Sequence, residues 1–210
     1  MTDTNEISDP ADLRRLLGAA MPRAVAKERV ALHAKDREWI ARSPFVVIAT
    51  ADADGNCDAS PKGDPAGFVE VLDDTTLAIP ERPGNRRADG YFNILSNPRV
   101  GLIFLIPGRT ETLRVNGRAR LVRDADYFDR MVVKGHRPIL AMEVDIEQIF
   151  FHCGKAFMRS HLWEPEKWPA DTLPSHARLV KEVQTNITQS VEELEAYYST
   201  EVYSAKLYAD

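Results

Sequence analysis

The middle of the chain alternates short apolar, β-branched runs with clusters of Pro, Gly, Asn and Asp, the signature of a sheet built from turns. Residues 45–50 are apolar, and the Asp54-Gly55 pair that follows predicts a hairpin. The return strand, residues 57–60, runs into SPKGDPAG, whose two prolines demote it to an edge or a bulge. Residues 68–72 and 76–79 predict a second hairpin across Asp73-Asp74, and the run 100–106 is short enough for a buried strand. From Thr112 the pattern alternates strictly. Leu113, Val115, Gly117, Ala119 and Leu121 face one side, and Thr112, Arg114, Asn116, Arg118 and Arg120 the other. That is a half-buried antiparallel strand. Residues 139–151 predict a last, long strand.

Helical patterns flank and interrupt this sheet. Residues 11–20 predict a helix with Asp9 as N-cap and Pro10 in its first turn. Residues 23–41 predict a second, ending near Ser43-Pro44 because the residue before proline leaves the α region. A short helix over 85–95, capped by Asn85 and stopped at Asn97-Pro98, sits between strands, and 124–133 also reads as helical. Beyond about Ser175, apolar Leu179, Val183, Ile187, Val191, Leu194 and Tyr198 predict one long amphipathic helix. Together these elements predict a small β-barrel of mainly β, α+β type. Its expected parts are a helical N-terminal segment over 1–42, a barrel over 43–163 and a helical C-terminal extension over 164–210.

Charge narrows the function classes. A net charge of -5 argues against a general nucleic-acid binder, which needs a basic face. No run approaches the length of a membrane span, and the polar start MTDTNEISDP has no apolar signal region. Two cysteines without a CxxC, Cys57 and Cys153, fit a reduced cytoplasmic setting. The five histidines show no metal-ligand spacing, and no nucleophile motif is present.

A basic pocket remains possible locally, and Arg86-Arg87 supplies it. The pair follows Pro83-Gly84 at the expected start of a helix, where unsatisfied N–H groups and the positive dipole end already favour an anion. Cations there oppose the dipole unless an anion joins them, so a phosphate grip explains the placement better than a solvated helix start. Mounted on short β-rich strands, this grip points to flavin mononucleotide (FMN) rather than to a P-loop or dinucleotide fold. Lys62, on an irregular segment between Pro61 and Gly63, is a further cation for the same ligand. Arg82 either reaches that phosphate or pairs locally. Trp163 and Trp168 read as anchors of the C-terminal segment.

In this order, five segments resemble the pyridoxamine 5'-phosphate oxidase-like split-barrel flavoproteins, and their bacterial FMN-dependent branch in particular. They are SPKGDPAGFV (60–69), IPERPGNRR (79–87), NILSNPRVGLIFLIPG (93–108), TLRVNG (112–117) and FHCGKAFMRSHLW (151–163). The resemblance implies a six-stranded split β-barrel that forms a homodimer, with two FMN sites in the interface, each built from both chains. It assigns the phosphate to Arg86 and Arg87, with Asn85 and Arg82 in the same segment, and runs Ser60 and Lys62 beside the ribityl chain and phosphate. Ile79 and Pro80 match backbone along the isoalloxazine, and Thr112 matches a polar side chain that reaches ribityl or phosphate oxygens. His152 is nominated to cover the ring from the opposite chain.

The resemblance also implies oxidoreductase chemistry on a small organic substrate, without nucleic acid or membrane. True oxidases of the family carry an Arg-x-His pair that handles substrate and end soon after it. Arg159-Ser160-His161 matches the pair, but here the sequence runs on to residue 210. Alternatives therefore stay open: a pyridoxamine or pyridoxine 5'-phosphate oxidase, or a non-catalytic protein binding flavin, deazaflavin or haem.

Overall fold

The computed structural model describes residues 6–169 and 173–208. Three helices lead in: α1 (Pro10–Leu17), α2 (Pro22–Val25) and α3 (Ala34–Ile40). The sheet follows as β1 (Phe45–Ala51), β2 (Cys57–Gly63), β3 (Glu70–Val71), β4 (Thr76–Pro80), β5 (Arg99–Leu105), β6 (Thr112–Val122) and β7 (Ala141–His152), with α4 (Asp89–Ser96) between β4 and β5. A 3-10 turn, Asp126–Met131, links β6 to β7. After β7 come α5 (Lys155–Ser160), α6 (His176–Val183), α7 (Val191–Tyr197) and α8 (Thr200–Ala205).

Every strand pairing is antiparallel, in the order β2-β1-β5-β6-β7-β4-β3. The fold is a mainly antiparallel sheet with flanking helices, of the split-barrel type. Seven strands form it rather than six, because residues 70–71 pair with β4 as a separate two-residue edge. Curvature brings the inward faces into one core, where Val46 and Ile48 of β1 share a cluster with Leu77 and Ile79 of β4 and with Leu102, Phe104, Leu113 and Val115. Alternation decides which residues enter it. Val46, Ile48, Leu102 and Phe104 are buried, whereas their neighbours Phe45, Ala49 and Ile103 are exposed. Pro61 lies within β2 opposite Val47, which is tolerated because β2 is an edge strand.

β6 shifts register against β7 between Asn116 and Gly117. A Cβ on Gly117 would lie 2.0 Å from the Asp145 carbonyl oxygen, so the bulge needs a residue without one. The bulge bends the two longest strands and helps the sheet curl.

Several helical expectations fail. The expected helix over 23–41 is two short helices, because the chain between them extends to form a bridge from Arg29 to Ile149 of β7. That crossing is fastened by fully buried Asp36, which takes a bidentate pair from the Arg29 guanidinium and also accepts from the His33 N–H at 2.8 Å. Lys27 Nζ adds a bond of 2.7 Å to the Phe151 carbonyl. The long C-terminal helix is three helices, recapped at Ser190 and Ser199. Ala177, Val180 and Leu194 form its small core, with Ile187 and Tyr198 packed on it, while Val183 of the expected stripe is exposed. Residues 124–133 contain only the 3-10 turn.

Candidate functional site

The loop joining β4 to α4 carries both arginines, but not at a helix start. Asn85 Oδ1 accepts from the Arg87 N–H at 3.0 Å, closing a local turn. Arg86 and Ala88 then both take left-handed backbone, with φ of 60° and 59°, and α4 begins only at Asp89. The expected cap at Asn85 is therefore a correction. Its side chain is spent on the turn, since Asx bonds of this kind compete with helix initiation. The coil aims Arg86 into a cleft of about 290 Å³ roofed by the loop and α4. Thr50, Asp58, Ser60 and Lys62 line one wall, and Ile48, Ile94 and Met142 form its apolar floor. Gly90 lets α4 sit close: a Cβ there would come within 3.0 Å of Asp58 Oδ2.

Charges in the cleft are balanced and mostly paired. Lys62 forms an ion pair with Glu81, and the Tyr91 hydroxyl donates to the same carboxylate. Lys62 also lies 5.0 Å from the centre of the Tyr91 ring. Burial, and then the hydrogen bond to Glu81, hold the Tyr91 phenol far above its ordinary range, so it stays protonated. Ser60 Oγ donates to Asp58 at 2.6 Å, and Arg87 Nε to Asp89 at 2.7 Å. Arg86 alone among these cations has no carboxylate or carbonyl partner among the described residues. Of the cleft's cations, Arg86 is the one that can take up an anion without breaking an ion pair, whereas Lys62 must first turn from Glu81.

Five nominated residues, Ser60, Lys62, Asn85, Arg86 and Arg87, line this one cleft. Ile79 and Pro80 are buried on β4, paired with Met142 and Ala141. Arg82 does not line the cleft, but shares an adjoining cavity of about 330 Å³ with Ser60, Lys62, Pro80 and Asn85. Its Nε donates to Asp64 at 2.6 Å and one terminal nitrogen to the Met131 carbonyl at 2.7 Å, a half-sequestered structural pair. Thr112 and His152 are direct cross-strand partners at the end of β7 remote from Ala141, which is the end that abuts Pro80. Roughly 35 Å of strand path, at ~3.3 Å per residue, separates the two ends. Neither Thr112 nor His152 lines the Arg86 cleft of its own chain. Partial burial, and then the nearby Arg114 and Lys27 charges, push the His152 pKa down.

Arg159 is exposed on α5. His161 ends that helix in left-handed backbone, its Nδ1 at 2.8 Å from Glu164 Oε1. Neither lines the Arg86 cleft. Sequence reasoning missed Glu81 and Tyr91 as the partners that hold Lys62. No sequence signal points to them, because the contacts join β2, the loop after β4 and α4. No helix among the described residues is long and apolar enough to cross a membrane, and no group of three or more metal-ligating side chains occurs among them.

The family profile described as Pyridoxamine 5'-phosphate oxidase matches residues 32–153, more than half of the 210 residues. The chain belongs to the pyridoxamine 5'-phosphate oxidase family. The matched span runs from just before α3 to the end of β7, so it contains the whole sheet and the cleft. No curated protein matches the chain. Among solved structures it is similar to HupZ of Group A Streptococcus, at 20% identity over 57% of this chain and 93% of that one, with a TM-score of 0.46. A candidate pyridoxamine 5'-phosphate oxidase of Lactobacillus delbrueckii is 28% identical over 58% and 95%, with a TM-score of 0.46. An FMN-binding protein of Syntrophomonas wolfei is 16% identical over 56% and 88%, with a TM-score of 0.41. Membership in the pyridoxamine 5'-phosphate oxidase family rests on the profile and not on these likenesses.

Proposed function

We propose that this protein is a homodimeric FMN-binding oxidoreductase acting on a small organic substrate. The observation that carries the reading is Arg86: a guanidinium without a partner among the described residues, held in left-handed backbone, at the wall of a cleft with Ser60, Lys62 and Asn85. This donor set fits a phosphate monoester. Arginine offers a planar fork of donors and Asn85 an amide, and Lys62 and Ser60 add ammonium and hydroxyl once they turn from Glu81 and Asp58. Arg82, engaged by Asp64, is left out of that set.

The cleft, about 290 Å³, lies at the lower edge of the ~300–1,000 Å³ typical of ligand sites. A second chain completing the wall would remove that shortfall, and the remote Thr112 and His152 pair would then serve the partner's cleft. Bound FMN would supply two-electron redox chemistry at its ring. The chain's own residues would bind and orient it: Arg86 and Arg87 fix the phosphate, Lys62 exchanges Glu81 for it, and Ile48, Ile94 and Met142 exclude water from the floor. Tyr91, protonated across the ordinary pH range, keeps Glu81 satisfied when Lys62 leaves.

Two exposed, unpaired cysteines support a reducing compartment, and we assign the protein to the cytoplasm. The decisive experiment is direct: purify the protein, record its visible spectrum and titrate the cofactor-free form with FMN. A colourless protein that takes up no FMN would sink the reading.

A further inference from the structure

A second cavity of about 440 Å³ shares Glu81 and Arg86 with the first cleft, and Tyr208 of the C-terminal tail helps to line it. Tyr208 reaches back across the sheet to donate its hydroxyl to Asp64, the carboxylate that also holds Arg82. The Asp64 side chain is only 1% exposed, so this clasp is a buried anchor. The Tyr208 ring stacks on His136 with centroids 5.9 Å apart and planes 24° apart, and Lys134 Nζ lies 5.3 Å from its centre. Helix α8, just before it, buries no residue of its own and meets the α7 segment through Tyr203, so Tyr208 adds a separate tie to the sheet.

The cavity's chemistry is uneven in a way that selects a ligand. Pro83, Pro138, Ile139 and the Tyr208 and His136 rings give it flat apolar walls. Its other charges are already matched: Arg82 by Asp64, Arg137 by Asp124 and Asp129, and Glu81 by Lys62 and Tyr91. Arg86, which lines both cavities, is the one without a partner among the described residues. A guanidinium has five donors in a fixed fork, enough to present one edge to each side. We infer that this second cavity binds a planar, ring-bearing carboxylate, with the acid group on Arg86 and the ring against the Tyr208–His136 pair. Naming that ligand a substrate rests on the flavoprotein reading; its binding does not.

The test uses benzoate and its uncharged isostere benzamide as probes, by calorimetry, on the full chain with and without FMN. Benzoate should bind at least about tenfold more tightly than benzamide, the value of a charge-assisted contact, and Arg86→Ala should abolish the preference. Tyr208→Ala should weaken benzoate by about three- to tenfold, while Tyr208→Phe keeps most of the affinity because the ring remains. His136→Ala removes the stacked partner without touching the tail and should weaken benzoate similarly. FMN affinity should be unchanged in both the Tyr208 and His136 variants. Equal binding of benzoate and benzamide, or benzoate indifferent to both Tyr208→Ala and His136→Ala, would overturn the inference even if FMN binds. Discriminating benzoate binding in a protein that never takes FMN would support it and refute the cofactor reading alone.

Discussion

Replacing Arg86 by alanine and by glycine separates what its side chain does from what its backbone suffers. The guanidinium has no partner among the described residues, so its removal breaks no internal bond; its loss should be felt only by a ligand. A charge-assisted hydrogen bond is worth about 1.5–3 kcal/mol, so the FMN Kd should rise roughly ten- to hundredfold in either variant. Riboflavin, which lacks the phosphate, should bind all three proteins alike.

Stability should divide the variants differently. A left-handed φ of 60° costs a residue with a Cβ about 1–2 kcal/mol, and alanine inherits that cost. Glycine escapes it but adds about 0.4–1 kcal/mol of unfolded-state entropy, leaving a net gain of up to about 1.5 kcal/mol. Fluorescence titration with both flavins, and urea unfolding of the cofactor-free proteins, read the two effects separately. Riboflavin weakened as much as FMN would show that Arg86 acts on the ring or the ribityl chain. A glycine variant less stable than the alanine one would refute the strain argument.

If each site needs both chains, FMN affinity should fall as the protein is diluted through its dimer dissociation, followed by sedimentation and flavin fluorescence; affinity that stays constant into the monomer range contradicts it. Tyr91 has a folded pKa raised above its unfolded value of about 10, so its contribution is complete below that pH and is lost as the pH rises beyond it. Tyr91→Phe should therefore flatten the alkaline fall in unfolding free energy, by up to about 1.4 kcal/mol per pH unit, and unchanged slopes would count against the burial of the phenol and its bond to Glu81. Gly117→Ala should cost more than about 3 kcal/mol in urea unfolding, since the new methyl meets backbone 2.0 Å away; a cost below about 1 kcal/mol would mean the bulge lies elsewhere. With FMN bound, the protein should leave pyridoxamine 5'-phosphate unoxidised, because Arg159 is exposed and His161 is tied to Glu164; oxygen-dependent turnover lost in Arg159→Ala would reverse that expectation.

Periodicity reads the sheet well because burial enforces it. The inward set Leu113, Val115, Gly117 and Ala119 is buried as the alternation demands, and Pro61 announces an edge that the strand order contains. Helix extents were less legible. Between Val25 and Ala34 the apolar spacing survives, but a tertiary bond from Arg29 to Ile149 outweighs local propensity, leaving Val30 exposed. In the C-terminal region the stripe continues through Thr185, Asn186 and Thr188, poor helix formers, and a capping box from Ser190 to Glu193 restarts the helix. Within the site, Arg86 was visible from its neighbours in sequence. The Lys62–Glu81–Tyr91 contacts and the return of Tyr208 to Asp64 were not, since they join positions that only the folded sheet brings together.

The crossing of residues 27–36 over β7 sets where cooperative unfolding begins. One carboxylate, Asp36, simultaneously starts α3 and clamps Arg29, whose backbone is in turn bonded to Ile149 in both directions. Opening any one of these exposes a buried charge, so they are expected to let go together. Upstream the situation reverses: α1 and α2 bury nothing, and their opening costs the barrel little. A protease meeting the native protein would trim the chain toward Lys27 and then stall. The clamp is also a mechanical link, since a pull on the N-terminus would be delivered through Arg29 to Ile149, on an interior strand of the sheet, and not to an edge that could peel away.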